Sequence, residues 1–212
     1  MKFYLGLLPA IFLVACAGTS SPSWLLETDA ALSAYHAAYL NGNERVAARE
    51  LALARREVGR TGDAMLMARV ELSVCAAQTA SLAGTGCPAF TPLATDAGDA
   101  ERAYAAYLAG ESFTVDQLPA SQRQAWTSGQ TSDLAAIADP LSRLVAAGVL
   151  WRHRRLADEG YALATETAAG QGWRRALLAW LAADRERLLA KGDVPSATSR
   201  QRRIERIVDS AR

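Results

Sequence analysis

Apolar residues recur along the chain at the three- and four-residue spacing of amphipathic helices, and no stretch alternates as a half-buried strand would. This pattern predicts a helix from about Trp24 to Leu40, stopped by Asn41-Gly42, and another from about Glu44 to Val58, stopped near Gly59 and Gly62. A third runs from about Asp63 to Ala83 on a stripe of Met65, Leu66, Val70, Leu72 and Val74. A loop rich in Gly, Thr and Pro follows, then a helix from about Asp99 to Ala109 with Tyr104, Tyr107 and Leu108 on one side. Residues Phe113 to Gln117 read as extended, and Pro119 opens a short helix that ends near Gly129. Asp139-Pro140 pairs an N-cap with a first-turn proline and starts a stripe of Leu141, Leu144, Val145 and Trp151. The last three helices run from about Asp158 to Ala169, from about Gln171 to Ala190 before Gly192, and from about Ser196 to Ser210. Many short helices joined by tight turns predict an all-α fold of antiparallel neighbours.

The first residues have a different pattern. Lys2 is followed by an apolar run from Leu5 to Val14 and then by Ala15, Cys16, Ala17 and Gly18. A charged start, a short apolar stretch and a small-residue end describe a secretory signal peptide. The run is too short to span a bilayer, which takes roughly 20 apolar residues.

Leu13-Val14-Ala15-Cys16 resembles the lipobox of bacterial lipoproteins at all four positions. The resemblance implies a signal peptide over residues 1–15 and acylation of Cys16 as the first mature residue. It implies a lipid bilayer as partner through that cysteine. Several acyl chains hold well, because each buried CH₂ contributes about 0.8 kcal/mol. Ala17 stands where inner-membrane lipoproteins typically carry Asp, so the resemblance favours the periplasmic face of an outer membrane. Residues 16–23, rich in Ser and Thr with Pro22, read as a short lipidated tether, which leaves a single helical domain over residues 24–212.

Composition supports this organisation. Half of the 212 residues are hydrophobic, enough for one core, with Ala, Leu and Arg dominant. The net charge is +1, and loss of Lys2 with the leader balances the remaining charges. A neutral exported domain argues against nucleic acid as a partner. Of the 3 cysteines, Cys75 and Cys87 remain after acylation. In an oxidising compartment they are expected to form a disulfide across the flexible segment containing Gly84 and Gly86, the alternative being two buried free thiols.

The chain carries no Gly-x-Ser-x-Gly elbow, His-Glu-x-x-His motif or phosphate-cradling loop after a strand. His36 lies in the first helix beside Tyr35 and Tyr39 and reads as a packing residue. His153 sits within Trp151-Arg152-His153-Arg154-Arg155, whose cations are expected to lower its pKa. Nothing calls for a cofactor, a metal or a small-molecule substrate, and no enzymatic activity is expected. Two basic clusters stand out. The cluster at Arg152, Arg154 and Arg155 falls where cations offset a helix macrodipole. Arg200, Arg202, Arg203 and Arg206 on the last helix offer contacts to an acidic partner or anionic headgroups.

Three windows place small residues around a bulky one: Gly42, Ala47, Leu51 and Ala54; Gly98, Ala103, Tyr107 and Gly110; and Gln171, Ala176, Trp180 and Ala183. They resemble the second helix of a tetratricopeptide hairpin, although their uneven spacing departs from that family's period of about 34 residues. The fold expected is therefore either an irregular tetratricopeptide-like stack of helical hairpins or a helical bundle. Its expected role is a protein-interaction scaffold or assembly factor for an envelope machine, with an envelope protein as partner. Trp126, Trp173 and Trp180 are candidate anchors in it. A cell-wall-acting enzyme and a carrier of an apolar ligand are the alternatives.

Overall fold

The computed structural model describes residues 22–210. The leader over residues 1–15, Cys16 and most of the tether lie outside them. The described residues hold ten α-helices and no strand. These are α1 (Ser23–Asn41), α2 (Glu44–Gly59), α3 (Ala64–Ala80), α4 (Asp99–Ala109), α5 (Ala120–Ser128), α6 (Thr131–Ala136), α7 (Pro140–Arg152), α8 (Asp158–Gly170), α9 (Arg174–Ala190) and α10 (Val194–Asp209).

Local chemistry sets most of the boundaries. Asn43 accepts from the Val46 N–H to start α2, and Asp63 accepts from the N–H groups of Met65 and Leu66 to start α3. Asp139 and Asp193 do the same for α7 and α10, each with a proline in the first turn. Gly42 ends α1 at φ 84°, a left-handed conformation that turns the chain straight into α2.

Several expectations change. The segment expected to be extended carries a 3-10 turn at Val115–Gln117 instead. Helix α6 was not expected. α3 stops at Ala80, three residues early, because Leu82 turns left-handed. α1 begins at Ser23, inside the segment read as tether.

Helices α1 and α2 pair as one hairpin, while α8, α9 and α10 pair in succession. α3 and α7 cross at the centre and join the two groups. Trp180 of α9 is fully buried, and its indole Nε1 donates to the Ala80 carbonyl at the end of α3 at 3.0 Å. Gly148 of α7 lies against the backbone of Thr79 in α3. The first hairpin meets the C-terminal helices where α1 packs on α9. There the Arg175 guanidinium lies 4.2 Å over the Tyr39 ring and pairs with Glu44.

Three buried carboxylates are held by arginines. Glu71 takes two hydrogen bonds of 2.7 Å from Arg55, and Glu57 is paired with Arg56 and Arg60. Asp184 accepts from Arg187 and from Arg200, each at 2.7 Å. Charges this buried are tolerated because each is hydrogen-bonded to its partner.

Cys75 on α3 is disulfide-bonded to Cys87, with Cα atoms 5.4 Å apart. The bond ties the α3–α4 loop back onto α3. By constraining the unfolded chain over so short a loop it contributes roughly 2–3 kcal/mol.

Candidate functional site

A solvent-open cleft of about 530 Å³ lies between α3, α4 and α7. Leu72 and Ala76 form one wall and Leu141 and Val145 another. Each pair is four residues apart, so each shares one helix face. Tyr104 of α4 and Leu118 complete the apolar lining. The N-terminal turn of α7 is fixed behind it. The Tyr107 hydroxyl donates to Gln122 Oε1 at 2.7 Å, and Gln122 Nε2 donates to the Ser142 carbonyl at 2.9 Å. The Ser142 N–H in turn donates to Asp139 Oδ2 at 2.7 Å.

The ionisable groups at the cleft are chemically quiet. Arg69 Nε donates to Glu101 Oε1 at 2.8 Å, and this bond holds the Glu101 carboxyl below the usual range. Glu101 is thus a carboxylate at neutral pH and a poor general acid. Burial, reinforced by the Asp139 charge, pushes the Tyr104 phenol up, so it stays protonated and can donate a hydrogen bond. The arrangement suits holding an apolar group with a few polar contacts at the rim. Among the described residues, no three His, Cys, Asp or Glu side chains gather as metal ligands would.

His36 fastens α1 to α3 behind this site. Its Nε2 lies 2.7 Å from Ser73 Oγ and 3.3 Å from the Ser73 carbonyl oxygen, so a proton on Nε2 serves both. Burial lowers its pKa, with the Ser73 backbone and Asp139 acting the other way. His153 is also lowered, first by burial and then by Arg155 and Arg152, so the expected like-charge repulsion ranks second.

A folded-state pKa below the unfolded value of about 6.5 means that the unfolded chain takes the proton first. The stability these histidines allow is complete above that value and lost as pH falls through it. The melting temperature is therefore expected to decline between about pH 7.5 and 5.5, above the range where carboxylates titrate. His36→Gln should flatten part of the slope. Thermal melts across that range check both, and a level wild-type profile would contradict them.

The other expected site residues are dispersed. Arg200 is drawn into the fold by Asp184, while Arg202 and Arg206 are exposed and Arg203 is half-buried. The basic surface of α10 is therefore smaller than its sequence implies. Cys75 is buried and Cys87 half-buried in their disulfide. Cys16 lies outside the described residues. Trp126 and Trp173 are half-buried, and Trp180 is core. The apolar cleft residues had no signal of their own, because each reads as part of an ordinary apolar stripe. Comparison with protein families, with curated proteins and with solved structures finds no match.

Proposed function

We propose that this chain is an outer-membrane lipoprotein, acylated on Cys16, whose helical domain is an interaction module for an envelope protein. The reading places an apolar segment of that partner in the cleft between α3, α4 and α7. The observation that carries it is the cleft itself, with apolar walls, an opening to solvent and a rim whose acid is already neutralised by Arg69. Anchoring rests on the resemblance of Leu13-Val14-Ala15-Cys16 to a lipobox.

The test is crosslinking in intact cells, with a photoreactive residue at exposed Ala100 on the cleft and a matched one at Val46, an exposed position on α2. One stable set of envelope proteins is expected from Ala100, absent from Val46 and lost when Cys16→Ser releases the protein from the membrane. Equal recovery from both positions, or none from either, would overturn the docking role. Recovery unchanged by Cys16→Ser would remove the anchor from the account.

A further inference from the structure

Leu82 and Arg154 are the two non-glycine residues with positive φ among the described residues, both at 56°. At comparable turns after α1, α4 and α5, the left-handed position is filled by Gly42, Gly110 and Gly129. An L side chain there is strained relative to glycine. Both turns are nonetheless firmly closed. The Ala83 N–H donates to the Gln78 carbonyl and the Arg155 N–H to the Leu150 carbonyl, each at 2.8 Å. These strained positions belong to different helices, yet their side chains line the same open pocket of about 740 Å³. Leu82 packs against the main core, which accounts for its side chain, whereas Arg154 is exposed and packing gives no reason for its strained backbone.

The pocket has a definite chemistry. Arg152 and Arg154 line it beside Trp151, Tyr161 and Leu82, and none of its lining residues is acidic. Arg152 is half-buried and oriented by hydrogen bonds to the carbonyls of Leu108 and Gly84. Among the described residues, no carboxylate forms an ion pair with Arg152 or Arg154. Asp158, close to the pocket in sequence, is already held by Arg187 and Lys191. Arg155 is engaged elsewhere, with its guanidinium 4.2 Å over the Trp126 ring. Two guanidiniums that no described carboxylate pairs, beside aromatic and aliphatic walls, have the chemistry that suits an oxyanion on an apolar body.

We propose that this pocket binds a small amphiphilic anion, a phosphate or carboxylate group joined to an apolar moiety, with Arg154 and Arg152 on the anion and Leu82, Trp151 and Tyr161 on the apolar part. The site is separate from the α3–α4–α7 cleft and does not depend on the role proposed for it. The acyl-bearing headgroup of a lipid and a free soluble phosphate share this chemistry.

Calorimetric titration of the full-length protein in a non-ionic detergent tests the proposal, using phenyl phosphate, hexyl phosphate, inorganic phosphate and phenol as probes. One of the two organic phosphates is expected to bind one to one and at least tenfold more tightly than inorganic phosphate or phenol. A preference for hexyl over phenyl phosphate points to an acyl-bearing lipid, and the reverse to a soluble planar anion. Arg154→Gly is the informative variant, because it removes the charge and relieves the backbone together. It is expected to lose at least tenfold in affinity while melting no lower than the wild type. If neither organic phosphate outbinds inorganic phosphate, or if Arg154→Gly binds as well as wild type, the pocket is not an anion site. If Arg154→Gly melts lower, Arg154 is kept for stability and the inference fails.

Discussion

Trp180→Ala is expected to lower the unfolding free energy by about 3–5 kcal/mol, the cost of a large cavity in a packed core. The indole is fully buried, packs edge-on to Tyr161 at 6.3 Å and donates to the Ala80 carbonyl. Truncation removes this packing and also leaves the buried carbonyl without its donor, a further penalty. The ring joins α9 to the end of α3, so the damage falls on the seam between the hairpin groups. Urea denaturation with near-ultraviolet circular dichroism reads the effect. Trp173→Ala, at a half-buried position, should cost clearly less. Equal losses at the two sites would show that the seam does not depend on the Ala80 contact.

Gly148→Ala is expected to destabilise by about 2–3 kcal/mol, as overpacking does. Its sign is the point. Within a helix, Ala is ordinarily favoured over Gly by about 1 kcal/mol. At Gly148, however, a new Cβ would meet the Thr79 carbonyl group and lie 3.2 Å from its Cγ2. The obstacle is largely backbone, so relief requires α3 and α7 to move apart. Gly170, exposed at the end of α8, has nothing within 4 Å of a Cβ and serves as the control. Gly170→Ala should be neutral or mildly stabilising. A stabilising Gly148→Ala would mean that the crossing is looser than described.

What could be read from the sequence was what neighbouring residues decide. Asp63 and Asp139 marked the starts of α3 and α7, and the Asn41-Gly42 turn closed α1, because caps and turns involve residues a few positions apart. Helix α6 escaped notice because it has six residues, one buried side chain (Leu134) and no side-chain cap. The early end of α3 was hidden because Leu82 occupies a conformation its side chain disfavours. The cleft was illegible for a different reason. Arg69 and Val145 meet around it from distant parts of the chain, and Leu72, Leu141 and Val145 look like core in any one helix. Arg200 seemed a solvent-facing cation for the same reason, since its tie to Asp184 exists only once α9 and α10 pair. The cluster around Arg152 was visible, but the left-handed conformation of Arg154 and the pocket it shares with Leu82 were not.

The packing of α1 on α9 has a consequence for the order in which the molecule assembles. Arg175 and Glu44 stand 131 residues apart in the chain. The α1–α2 hairpin and the run from α8 to α10 are built from neighbours and can form early, as local contacts do. The seam at Tyr39 and Arg175 cannot close until the C-terminal helices exist. Closing so long a loop adds little to the entropic cost, which grows only with the logarithm of length, so the delay is one of time rather than of final stability. A chain cut before Arg174 lacks the Arg175 guanidinium that lies over the Tyr39 ring of α1. The Tyr39 face of α1 therefore gains its cover late, once α9 has formed and docked.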